Sequence, residues 1–153
     1  MLSPPFSLAL LCCALIAFMA WAVSLAKRDA GVADVFWPWL AVASALVYAQ
    51  DAWPPGSIAG ITLAAIVISA LRLSAMVIVR TARNGEDRRY TEIRSGWGPG
   101  FGIKSLPGIF LLQGVMGFVA AIPLAVVMTR TDGLLWADAL MLGLWLSGFF
   151  IQT

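Results

Sequence analysis

The 153-residue sequence predicts an all-α, polytopic transmembrane helical bundle. Three observations predict it. Hydrophobic residues make up 61% of the chain and charged residues 12%, and the mean hydropathy is +0.89. Soluble domains run to roughly half apolar and about a quarter charged. The apolar residues gather into five long stretches, longer and poorer in charge than the buried helices of a soluble protein. The polar residues concentrate in one loop, residues 80–104. So little polar surface cannot clothe a water-facing exterior. The bilayer is therefore the solvent, and residues 1–153 are expected to form a single transmembrane domain.

Crossing about 30 Å of hydrocarbon takes about 20 apolar residues. The first stretch, residues 6–26, holds no charge. Its end, Ser24-Leu25-Ala26, has the small-x-small form of a signal cleavage site. No Lys or Arg precedes it, however, and its core exceeds the roughly 7–15 residues of such a segment, so a retained helix is expected. The second stretch, residues 35–50, is shorter and carries Pro38 in its first turn, where a missing N–H costs little. Asp51-Ala52-Trp53-Pro54-Pro55-Gly56 then makes a tight turn. The third stretch, residues 57–79, is interrupted only by Arg72. Gly56, Gly60 and Ala64 place small residues every four positions at its start, a face for a helix-packing partner or a second copy. The fourth, residues 105–128, has Pro107 near its start and Pro123 late, which predicts a kink toward its far end. The fifth, residues 134–151, carries Asp138 in its first turn, where free N–H groups and the positive dipole end favour a carboxylate.

Basic residues set the orientation. Lys27 and Arg28 lie after the first stretch; Arg80, Arg83, Arg88, Arg89, Arg94 and Lys104 lie after the third; Arg130 lies after the fourth. An N-out, C-in arrangement places both large clusters in the cytoplasm. Trp37, Trp39, Trp53 and Trp136 fall at segment edges, where amphipathic rings prefer the headgroup zone. A net charge of +2 is too small to suggest nucleic acid. The chain has no histidine, which excludes Ser-His-Asp and Cys-His catalysis and histidine-based metal sites, so no bound metal is expected. Cys12 and Cys13 are adjacent on one helix and point apart, which suits small apolar fillers rather than a disulfide.

Few residues can carry chemistry. Arg72 lies seven residues before Val79, roughly 10 Å below the cytoplasmic end of its helix. Either its long side chain snorkels to the interface, or it holds an anion in a polar cavity. Gln113 lies in the cytoplasmic third of the fourth stretch, where an amide needs a neighbouring helix or a ligand as partner. Within the loop, residues 84–94 read as a short helix with Asn84 as cap, Glu86 and Asp87 in the first turn and Arg94 in the last. Arg88 and Glu92 are in pairing range. Such a helix can serve simply as a solvated face held to anionic membrane lipids. Gly96-Trp97-Gly98-Pro99-Gly100-Phe101-Gly102 is neither a dinucleotide fingerprint nor a P-loop, and reads as a turn back to the membrane.

The strings Arg83-Asn84-Gly85-Glu86-Asp87-Arg88-Arg89-Tyr90, Trp97-Gly98, Phe110-Leu111-Leu112-Gln113, Ala33-Asp34-Val35-Phe36-Trp37 and Leu71-Arg72-Leu73 together resemble a bacterial branch of the steroid 5-alpha-reductase-like membrane proteins. The resemblance spans essentially the whole chain. It implies an inner-membrane, multi-pass reductase that uses NADPH to saturate a carbon–carbon double bond in a lipid-like substrate. It also implies that Arg72 and Arg89 neutralise cofactor phosphate, that Asp87 orients an arginine or a ribose hydroxyl, that Tyr90 stacks or donates a hydrogen bond, and that Gln113 meets substrate. Members of that family continue into a second half bearing Asn-Arg-Gly and His-Pro-Asn-Tyr stretches, and many have glutamate near the position of Gln152. This chain therefore resembles the N-terminal half, and is expected not to transfer hydride by itself. Two other readings stand beside it. One is a non-catalytic membrane subunit or scaffold. The other is an isoprenylcysteine-type membrane methyltransferase, which binds S-adenosylmethionine in place of NADPH.

Overall fold

The structure is a computed structural model that describes residues 4–130 and 135–151. The described residues form helices α1 (Pro4–Lys27), α2 (Val32–Ala49), α3 (Ser57–Asn84), α4 (Arg88–Trp97), α5 (Phe101–Ala121), α6 (Leu124–Met128) and α7 (Trp136–Ile151). Among them, α1, α2 with the turn that follows it, α3 and α5 are long and apolar enough to cross a bilayer. This is a multi-pass membrane architecture.

On α1 small residues do the packing, whereas Leu40, Tyr48, Phe110, Phe118 and Met128 fill the core from the other helices. On α1 the buried positions are Ala9, Cys13, Ala17, Ala20 and Ser24, one stripe at helical spacing, while Leu11, Leu15 and Phe18 are each more than half exposed. Lipid tails are as apolar as leucine, so the large side chains of α1 can face them at little cost, while close backbone approach along the small stripe gains dispersion contacts. Cys13 fits this stripe, with its Sγ 3.4 Å from Ser44 Oγ on α2. At Gly117 on α5 the approach is closest: Leu40 of α2 lies directly where a Cβ would stand. The result is a central group of α1, α2 and α5, with α3 against α2.

Several boundaries move relative to the apolar stretches, because backbone hydrogen bonding does not stop where hydropathy does. α2 starts at Val32 and takes Asp34 into its first turn. α3 runs beyond the apolar stretch through Arg80 and Arg83 to Asn84, and ends at Gly85, whose φ of 77° suits glycine. Asn84 is thus the last residue of α3 and not the cap of α4. That cap is Asp87, which accepts from the Arg89 backbone N–H at 3.0 Å. Residues 80–104 are mostly helical. α5 begins at Phe101, passes through a π-helical stretch at Leu106–Leu111 that contains Pro107 at its start, and breaks at Pro123, where the kink was expected.

The fifth apolar stretch forms α7, 16 residues and thus about 24 Å long. Leu134, its expected first residue, lies outside the described residues, as does Gln152. α7 runs in the same direction as α3. Trp145 Nε1 donates to Ser69 Oγ at 3.1 Å, and Arg72 Nη1 donates to the Phe149 carbonyl. None of its residues is buried among the described residues. Gly60, on the small-residue face of α3, lies open as well, because no described residue stands within 4 Å of a Cβ placed on it.

Candidate functional site

The two basic connectors meet at one end of the bundle. Arg28, with φ 55°, follows the last residue of α1, and its carbonyl accepts from Arg94 Nη2 at 3.3 Å. Glu86 joins the same junction: its Oε1 accepts from the Ala30 backbone N–H at 2.7 Å and from Arg94 Nη2 at 2.7 Å, and its Oε2 accepts from Arg94 Nε at 3.2 Å. Arg94 also lies over the Phe101 ring, 4.3 Å from its centroid. A carboxylate only 17% exposed is thereby satisfied on both oxygens, and α4 is tied across the ends of α1 and α2.

Pinned there, α4 turns Tyr90 inward, where it is 2% exposed. The Tyr90 hydroxyl donates to Asp34 Oδ1 on α2 at 2.7 Å and accepts from Gln113 Nε2 on α5 at 3.3 Å. Arg89 Nη2 donates to Asp34 Oδ2 at 2.8 Å, and its guanidinium rests over the Tyr90 ring, 4.6 Å from the centroid. Arg80 of α3 completes the group, 3.8 Å from Asp34 Oδ2 and 3.2 Å from Asp87 Oδ2. Burial, followed by the bond to Asp34 and the nearness of that charge, pushes the Tyr90 phenol above its ordinary range. The hydroxyl is therefore held protonated, as a donor.

Two grooves flank this cluster and share Asp34, Trp37 and Arg89. The first, about 420 Å³, lies toward α3; Arg80, Asp87 and Arg89 line its rim, with Leu73 and Val77 beneath. The second, about 400 Å³, lies toward α5; Tyr90 and Gln113 mark its polar end, and Ile93, Leu112 and Met116 its apolar walls. Leu112 and Met116 are each more than half exposed on the face of α5, so this groove opens toward the lipid side. Trp37 lines both grooves, whereas Trp53 and Trp136 project outward.

Of the residues singled out in the sequence, Asp87, Arg89, Tyr90 and Gln113 come together here. Arg72 does not. Its guanidinium lies 4.3 Å from the centroid of the Phe149 ring on α7, on a different face of α3 from Leu73, Val77 and Arg80. Asp138 is no partner for it: Asp138 accepts from the Leu135 backbone N–H at 2.9 Å, in the helix-start role expected of it, and from Arg130 at 2.8 and 3.2 Å. Sequence reasoning passed over Asp34, Arg80, Glu86 and Trp37 as site residues. Asp34 carried one signal, a lone carboxylate at the mouth of an apolar stretch, but an acid in a first helical turn has an ordinary explanation.

Among the described residues no cluster of three His, Cys, Asp or Glu side chains could hold a metal ion. A family model, "Protein of unknown function (DUF1295)", matches residues 20–153. No curated protein and no solved structure matches the chain.

Proposed function

This chain belongs to the DUF1295 family, and from that premise we propose that it contributes to an inner-membrane site for NADPH-dependent reduction of a carbon–carbon double bond in a lipid-like substrate, with the α4 end in the cytoplasm. One observation carries the reading. A polar groove and an apolar groove share a wall of Asp34, Trp37 and Arg89, so a water-borne donor and a lipid-borne acceptor can approach one place from opposite sides. The residues fit the phosphate portion of such a cofactor: Arg80 and Arg89 line one groove, and Asp87 holds Arg80 in place at 3.2 Å. NADPH, when bound, supplies the hydride. The chain's own residues position. Gln113 offers an amide to a substrate oxygen, the protonated Tyr90 fixes Gln113 and Asp34, and the Ile93, Leu112 and Met116 walls exclude water. The phosphate role expected for Arg72 passes to Arg80, which lines the groove that Arg72 does not.

The test is NADPH titration of the protein in nanodiscs. We expect saturable binding that weakens about tenfold or more in Arg89→Ala, the scale of a lost charge-assisted contact. Binding that ignores the substitution removes Arg89 from the site, and S-adenosylmethionine binding in place of NADPH selects the methyltransferase reading. A non-catalytic subunit remains the second reading, favoured by the open faces of α7 and Gly60. Co-purification of a second polypeptide that covers them, without nucleotide binding, selects it.

A further inference from the structure

Asp34 has two arginines on one oxygen. Arg89 Nη2 stands 2.8 Å from Oδ2 and Arg80 Nη2 3.8 Å from the same atom, while Oδ1 is occupied by the Tyr90 hydroxyl. The two cations differ in station. Arg80 is also held by Asp87, on the far side. Arg89 is the more exposed, at 60% of its side chain against 48%, and it lines both grooves. A guanidinium has five N–H donors, far more than its bond to Asp34 uses.

Withdrawing the only counter-ion from a carboxylate that is 23% exposed would be costly. Here it need not be. Closing from 3.8 to 2.8 Å, a movement of about 1 Å, lets Arg80 take the oxygen that Arg89 leaves. We infer that Arg89 is an exchangeable counter-ion: a phosphate group entering the groove between α2, α3 and α4 draws Arg89 off Asp34, and Arg80 replaces it there. The apolar floor of Trp37, Leu73 and Val77 suits a phosphate attached to an apolar or aromatic body, hence a lipid phosphate or a nucleotide phosphate. Departure of Arg89 also takes one of the three side chains out of the wall that the two grooves share. Only the nucleotide as source rests on the function proposed above; the exchange does not.

The experiment uses the full chain in nanodiscs and has two arms. Without ligand, thermal melting is compared for Arg89→Gln, Arg80→Gln, the double variant, and the double variant with Asp34→Asn. Each single variant should melt close to wild type, because the other arginine stands in. The double variant should fall by more than the sum of the singles, and Asp34→Asn should restore most of the loss. Arg80→Lys/Arg89→Lys, which keeps both charges, should melt near wild type and guards against a general folding defect. With ligand, NADPH is titrated in neutral phosphatidylcholine nanodiscs, and retention of phosphatidic acid is measured in mixed-lipid ones. Asp34→Asn frees Arg89 and should tighten the phosphate probe about tenfold. Tightening for NADPH supports both the exchange and the cofactor reading. Tightening for phosphatidic acid alone supports the exchange with a lipid source and sinks the cofactor reading. Additive melting losses, or no tightening for either probe, overturn the exchange.

Discussion

The two edges of α3 treat their charges differently. Toward α2 and α4, Asp34, Arg80, Asp87, Arg89 and Tyr90 form one network in which every carboxylate serves more than one partner. Toward α7, Arg72 meets a main-chain carbonyl and an aromatic face, and Arg130 and Asp138 form a pair beside the start of a helix. The first arrangement brings two cations to one carboxylate oxygen; the second joins the middle of α3 to α7 and holds the start of α7. A charge becomes a candidate for function when a second partner stands within reach of the first, as Arg80 and Arg89 do at Asp34.

The largest test of that contrast is in packing. Gly117→Leu drives a side chain into Leu40 and should cost about 3 kcal/mol, at the upper end for overpacking, whereas Gly143→Leu on α7 enters open space and should leave the melting temperature unchanged. A similar loss at both positions would mean that α7 is packed as tightly as the centre. Next comes the junction that holds α4. Glu86→Gln keeps the shape but removes the charge that three donors share, and about 2 kcal/mol should be lost in chemical denaturation. Asp138→Asn, on the other edge, should do less. Tyr90→Phe should cost about 1 kcal/mol, because Asp34 Oδ1 and Gln113 each lose a partner.

The smallest effect sharpens the contrast by pH. A phenol whose pKa is raised in the folded protein contributes stability that is present below the unfolded value of about 10 and is lost as pH climbs through the folded value. Melting should therefore decline on the alkaline side in wild type more steeply than in Tyr90→Phe. In an ultraviolet phenolate titration, Asp34→Asn should bring the Tyr90 component to lower pH, since the charge is gone and the hydrogen bond it strengthens is weakened. A Tyr90 titration indifferent to Asp34 would break the network at its centre.

Much of this was legible along the chain. The apolar stretches, the kink at Pro123, the Arg88–Glu92 pair at 2.8 Å and the role of Cys13 as a small filler follow from local rules: length against bilayer thickness, proline geometry and helical spacing. The helix ends were less legible. A hydropathy boundary marks where lipid stops, and α3 continues past it through Arg80, the residue that then completes the site.

Composition and pattern alone determined that this is a helical membrane protein with its positive charge gathered near one end, because the transfer cost of each residue is a property of that residue. Only tertiary structure decided which charges work together. Arg72 and Arg80 are two helical turns apart on one element, yet one faces Phe149 and the other Asp34. Asp34 and Tyr90 are far apart in the chain and 2.7 Å apart in space. The physical reason is that an ion pair or a groove depends on the relative placement of helices, which is set by where small residues such as Gly117 let backbones close, and no single stretch of sequence contains that information.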